Sequence, residues 1–235
     1  MAVAHDTAAV ASGVGIADGG TITTTLTIGS NTNRLVYGGV TWTDTSNLGA
    51  SVSAVTFGGS AMTFVGTVGV TQVDDSYYFI APSTGSQSMV TTFSGADITV
   101  NCVQGVESMY NVHQTTPLGN SNTNSGLDKT PTVTVANCSV DSMVVDTVIY
   151  PNGAQTLTLT VGANQTQRWN SSVGAGSSRF RGAGSTEPVT VAGSIVMSWT
   201  ATITTAVEWV TQAVEFIVVA VAADTPQRTL TGVGT

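Results

Sequence analysis

Side chains able to do chemistry are few in this chain and widely spread: fourteen Asp and Glu, six Lys and Arg and two His among 235 residues. A glycosidase would need two carboxyl groups about 5–10 Å apart across a cleft. Asp74 and Asp75 are sequence neighbours on opposite faces of a strand and read most simply as turn caps. Asp146, Glu208 and Glu215 lie within apolar runs and converge only if those strands adjoin; otherwise they are edge or rim charges paired with Arg34 or Arg168. Gly58-Gly59-Ser60-Ala61 continues into Met62, so the nucleophile elbow G-x-S-x-G is missing. The glycine runs at Gly13-Val14-Gly15 and Gly182-Ala183-Gly184 reach Asp18 and Glu187 where a dinucleotide fingerprint wants a third glycine.

Metal ligation is no better supported. His5 and His113 are not spaced as ligands, Cys102 and Cys138 stand far apart, and His113 reads as a polar strand-end residue. The run from Asn120 to Gly126 has the oxygen-rich look of a calcium loop, but its glycine comes one position late and only Asp128 supplies charge nearby. Such Asn, Ser and Gly runs usually turn the chain. No catalytic set, metal site or cofactor is therefore predicted.

The segment with an interaction character runs from Arg168 to Glu187. It gathers Arg168, Arg179 and Arg181, three of the six cations, beside Trp169 and Phe180 among glycines and serines. Arg and aromatic residues are enriched at interface hot spots, and loops on a rigid scaffold carry binding groups. These five residues form the candidate interaction loop, suited to a glycan or a protein. The competing reading has Trp169 plugging one end of the fold while the arginines neutralise an acidic chain.

Composition narrows the classes. Only 9% of residues are charged, the net charge is -8 and the pI is near 4.3, which leaves no basic stripe for nucleic acid. With 41% hydrophobic residues and a mean hydropathy of +0.24, the chain has apolar surface to bury and is not disordered. Residues 1–20 lack the cationic and apolar regions of a secretory signal. The most apolar stretch, Ala213 to Ala223, carries Glu215 and falls short of the roughly 20 residues a membrane helix needs. Cys102 and Cys138 read either as a disulfide or as two small buried hydrophobes. The triplets starting at Asn137, Asn164 and Asn170 fit the glycosylation pattern by chance in so Ser- and Thr-rich a chain.

Short Thr- and Val-rich runs closed by Gly, Asn, Asp or Pro recur along the chain, which predicts an all-β, antiparallel, jelly-roll-like sandwich. Residues 1–20 read as an extended or mobile N-terminal arm, 21–222 as one sandwich domain with a polar loop at 114–131, and 223–235 as a C-terminal tail. Ile195, Met197, Trp199, Ala201 and Ile203 share one parity and should face inward. Between 206 and 222 both faces are apolar, the mark of a central strand covered on both sides, with a helix as the alternative. RLVYGGVTW matches SMVVDTVIY in placement, and MVTTFSG with VESMYNV matches VMSWTAT with VTQAVEF. Two similar halves and a coincidence of low-complexity strands both account for this.

The succession NRLVYGGVTW, VTFGGSAMTFVG, YYFIAPSTGSQSMVTTFSG, GVESMYNVHQTTP, LTVGANQTQRWN, GAGSTEP and MSWT…EW…AVEF resembles a family of uncharacterised Thr/Gly-rich β-sandwich proteins encoded by bacteriophages and environmental bacteria. It spans roughly residues 21 to 222. The resemblance implies a non-enzymatic, jelly-roll-like module on a virion or cell surface, and transfers no catalytic residue. Its expected partners are other virion proteins and further copies of the chain, with a glycan as the alternative, and neither nucleic acid nor membrane. The start at Met1 without a signal favours a virion protein assembled in the cytoplasm over an exported one.

Overall fold

Short branched residues alternating with polar ones, broken by turn formers, favour pleated strands over helix, and the chain follows that preference throughout. A computed structural model describes residues 1–151 and 156–218. Its first strands are β1 (Ala4–Ile16), β2 (Thr21–Ile28), β3 (Leu35–Asp44), β4 (Ser51–Phe57), β5 (Ser60–Ala61), β6 (Thr63–Val68), β7 (Gln72–Ile80), β8 (Gly85–Ser94) and β9 (Val100–Tyr110). Then come β10 (Leu118–Asp128), β11 (Thr132–Cys138), β12 (Met143–Pro151), β13 (Leu159–Val161), β14 (Thr166–Val173), β15 (Phe180–Pro188), β16 (Gly193–Ala201) and β17 (Val207–Phe216). The only helical turn among the described residues is a 3-10 turn at Gly176–Ser178, and no helix there is long and apolar enough to cross a membrane.

Pairing is antiparallel and nested. β1 pairs with β9, β2 with β8, β3 with β7 and β4 with β5, so the chain folds into one long ribbon rolled upon itself. That winding is a jelly roll. Its inner sheet has the order β1-β9-β3-β7-β6 and its outer sheet β2-β8-β4-β5. Residues 118–216 make a second set of nested pairs, β10 with β17, β11 with β16 and β12 with β15, giving a second roll with an inner sheet β10-β17-β12-β15-β14 and an outer sheet β11-β16-β13.

The two inner sheets stack on each other, making four layers. β3 lies over β12, β9 over β14 and β15, and β17 over β6 and β7. Each inner strand must therefore be apolar on both faces. Val36, Val40 and Trp42 of β3 enter the core of the first roll, while Leu35 and Tyr37 enter the seam between the rolls. On β12, Val144 and Val148 face the second roll's core while Val145 and Ile149 face the seam. β17 is covered on both sides as its sequence predicts, with Trp209 and Ala213 on one face and Val210, Val214 and Phe216 on the other. Val219, Val221 and the tail 223–235 lie outside the described residues. On β16, Met197, Trp199 and Ala201 are buried, and Thr200 is exposed, as alternation requires.

Three expectations need correction. The segment read as an extended or mobile arm is not free but mostly β1, an edge strand laddered to β9; its small Ala, Ser and Gly side chains hide the periodicity because the backbone ladder holds it. The polar loop at 114–131 is mostly β10, paired with β17 from Leu118 to Asp128. Its Asn120, Asn122 and Asn124 Nδ2 groups donate to the backbone carbonyls of Asn137, Thr134 and Thr132, so the calcium-like run stitches the edges of two sheets together. Asp74 and Asp75 cap no turn; both are buried in the middle of β7. Of the two readings of the cysteines the second holds: Cys102 and Cys138 are free, buried thiols, one in each roll's core.

Candidate functional site

The seam is apolar at both ends and polar across its middle. β9 presents Glu107 to the second roll, opposite Tyr37 on β3, and β7 presents Asp74 and Ser76 on the same face. From the other side come Thr147 on β12 and its cross-strand neighbour Gln212 on β17. Thr147 Oγ1 donates to Asp74 Oδ2 at 2.6 Å, Ser76 Oγ donates to Gln212 Oε1 at 2.9 Å, and Gln212 Nε2 donates to the Asp74 carbonyl at 2.7 Å. These three bonds all cross from one roll to the other, so sliding the sheets by one residue would orphan every group at once.

At the β1 and β14 edges of the seam stand His5, Glu107 and Arg168. A register shift between Gln167 and Trp169 turns the Arg168 side chain inward, where its Nε donates to Thr186 Oγ1 at 2.8 Å. His5 Nε2 is 3.6 Å from Glu107 Oε2, longer than a hydrogen bond, and neither Glu107 oxygen has a hydrogen-bond partner. Burial pushes the Glu107 carboxyl up to about 8, with Arg168 pulling it back and Asp146 adding to the rise. Burial, then the charge of Arg168, pushes the His5 imidazole down to about 4. At neutral pH the contact is therefore between two uncharged groups rather than an ion pair. Burial likewise holds Asp74 well above the usual carboxylate range.

The acids that sequence reading set aside as rim charges are structural too. β12 and β17 do adjoin, which places Asp146 and Glu215 on one face. Each is satisfied separately. Asp146 accepts from the Ser185 N–H, the Ser185 hydroxyl and Trp199 Nε1, and burial pushes it up to about 7. Glu215 accepts from the backbone N–H groups of Asn120 and Ser139, which hold it below its ordinary value. Neither pairs with Arg34, whose guanidinium donates to the carbonyls of Asn31 and Pro82, nor with Arg168. Glu208 is exposed.

The predicted interaction loop is largely a hairpin, β14 to β15, with only residues 174–179 between strands. Trp169 is 3% exposed and Phe180 1%, so neither ring is available as a platform. Trp169 lies in the seam over the backbone of Gly105, Gly39 and Gly184, the reading in which it plugs the fold. Arg181 donates to Asn170 Oδ1 at 2.6 Å. Arg179 borders a small hollow with Thr43, Asp44 and Gln72. The grouping of five residues is thus divided between the seam and its rim. His113 is the strand-end residue its position suggests, with Nδ1 accepting from the Thr115 and Thr116 N–H groups. Among the described residues no three His, Cys, Asp or Glu side chains converge to hold a metal ion.

Sequence reasoning passed over Tyr37, Glu107, Thr147 and Gln212. Their only signal was a polar residue at an inward parity in an otherwise apolar strand. No family model, no curated protein and no solved structure matches the chain.

Proposed function

We propose that this chain is a non-enzymatic structural protein of a virion, of the kind that decorates a bacteriophage capsid or builds a tail or fibre, and that it works through protein-protein packing. The observation that carries the reading is the seam: two jelly rolls joined through a shared apolar core and a belt of hydrogen bonds form one four-layered block. Jelly rolls recur in viral capsid and lectin domains, which supports the reading by analogy of fold.

Use of the acids supports it as well. Asp74, Glu107, Asp146 and Glu215 are fully buried and serve the fold rather than a cleft. Outside, a charge-poor surface exposes Val14, Val70, Leu127, Val191 and Val196, spread over both rolls, as contacts for neighbours in an assembly. In this reading the rolls are two copies of one unit packed about a local two-fold, since β9 on β15 is matched by β17 on β7, with β3 on β12 at the centre. Such a block repeats itself in further copies and binds other virion proteins at the particle surface.

Sedimentation of the purified chain, alone and with particles of the phage that encodes it, tests the proposal. Self-association or capture by particles supports it, and a monomer that stays in the supernatant counts against it.

A further inference from the structure

The first roll opens along one side. After β5 the chain leaves the outer sheet, with the Met62 N–H donating to the Val55 carbonyl, and it joins the inner sheet at Thr63. The unpaired part of β4 and the free edge of β6 thereby border a groove of about 830 Å³, within the roughly 300–1,000 Å³ typical of small-molecule sites. Alternation along β7 turns Val73, Asp75 and Tyr77 toward it.

A register shift in β6 between Phe64 and Gly66 shapes the site. Without it, Phe64 and Thr67 would point to opposite faces; with it, Phe64 stands opposite Tyr77 and Thr67 opposite Asp75, all lining one groove. Phe64 is 52% exposed, with its ring centroid 5.4 Å from that of Tyr77. At the base, the Asp75 carboxylate accepts from Trp42 Nε1 at 2.8 Å, with Thr67 as its cross-strand neighbour on β6. From the opposite wall Thr56 supplies a hydroxyl group, while the Ser51 and Ser53 hydroxyls are engaged with Ser94 and the Thr92 carbonyl.

We propose that this groove binds a neutral saccharide, stacked on Phe64 and hydrogen-bonded through Asp75, Thr67 and Thr56. A sugar ring offers what the lining asks for, an apolar C–H face for an aromatic ring and hydroxyls that both donate and accept. Other occupants fit less well. No Lys or Arg lines the groove, which disfavours phosphate or carboxylate ligands. An added β-strand would meet irregular edges on both sides, since β4 also shifts register between Val52 and Ala54 and spends the Ser53 hydroxyl on the Thr92 carbonyl. Burial raises the proton affinity of Asp75, which suits an uncharged ligand better than a cation.

The test is a glycan microarray on the full-length chain, followed by saturation-transfer NMR of the bound sugars on wild type, Phe64→Ala, Thr67→Val and Arg181→Ala. The expected result is binding of at least one neutral glycan. It should weaken about tenfold in Phe64→Ala, the upper end of stacking energies, weaken also in Thr67→Val, and stay unchanged in Arg181→Ala. Phe64 is half exposed, so its removal should leave the thermal midpoint nearly in place; Thr67→Val gives a second readout if it does not. No glycan bound by the wild type, equal binding by both groove variants, or loss of binding in Arg181→Ala would each overturn the proposal. None of these outcomes bears on whether the chain is a virion component.

Discussion

Trp169 and Gly105 meet across the seam with no room for one more carbon: a Cβ at position 105 would run into the indole. Gly105 pairs with Gly39 on β3, and Gly184 lies beneath the same ring on β15, so three strands forgo side chains to seat one from β14. The two rolls are spaced by that indole.

Gly105→Ala should therefore overpack the seam. The methyl would meet the middle of a rigid ring rather than the end of a flexible chain, so the cost should be at or above the usual 1–3 kcal/mol of overpacking. Trp169→Ala leaves a void instead and should cost about 3–5 kcal/mol. Urea titrations of the two single variants and the double variant check this. The double variant should be less destabilised than the sum, because removing the indole makes room for the methyl. Strict additivity would mean that the two residues do not share a site.

Stability should fall as pH rises above neutrality. Between the ordinary carboxyl value of 4.5 and the native value of about 8, the folded chain holds a proton at Glu107 that the unfolded chain has released, so raising the pH favours unfolding across that window. Asp146 acts in the same sense up to about 7, and Asp74, also raised, adds to it. His5 opposes them lower down: between about 4 and its ordinary 6.5 the unfolded chain binds the extra proton, and stability rises with pH. Arg168, whose charge acts on both groups, is a guanidinium and keeps its charge across this range. From pH 7 to 8 the Glu107 contribution amounts to at most about 1.4 kcal/mol, or at most about 3–6 °C in thermal midpoint for a chain of this size. Thermal melts of wild type and Glu107→Gln at pH 6.5, 7, 7.5 and 8 should show a descending series that is flatter in the variant. Parallel series would remove Glu107 from the account.

Both thiols should be silent in the native state. Cys102 is sealed in the core of the first roll, and burial pushes the Cys138 thiol up to about 11. A thiol reagent at pH 8 should label neither cysteine in the folded chain and both in guanidinium, without a reductant. Two thiols that appear only after reduction would mean a disulfide joins the rolls.

Much of the fold was legible in the sequence because β16 and β17 carry their burial in their periodicity, one face for an outer strand and two for an inner one. β1 and β10 were not legible for the opposite reason. Both are edge strands held by the backbone ladder, and β10 presents asparagines to a neighbouring sheet edge where a periodic pattern would show leucines. The 168–181 grouping stayed open between two readings for a different reason. Composition allowed Trp169 and Phe180 to serve either an interface or the core, and the glycines that seat Trp169 lie far away in sequence at Gly39 and Gly105, where only the stacking of the two rolls brings them beneath it. Asp74, Glu107 and Gln212 were hidden likewise, since a polar residue inside an apolar strand shows its purpose only beside its partner on the other roll.

The most direct measurement of the central claim is quantitative mass spectrometry of purified particles of the phage that encodes the chain, with an antibody to the chain for electron microscopy. The account calls for many copies per particle, in a fixed ratio to the major shell or tail protein, and for regular labelling of one particle surface. A chain abundant in the lysate but missing from washed particles would contradict it.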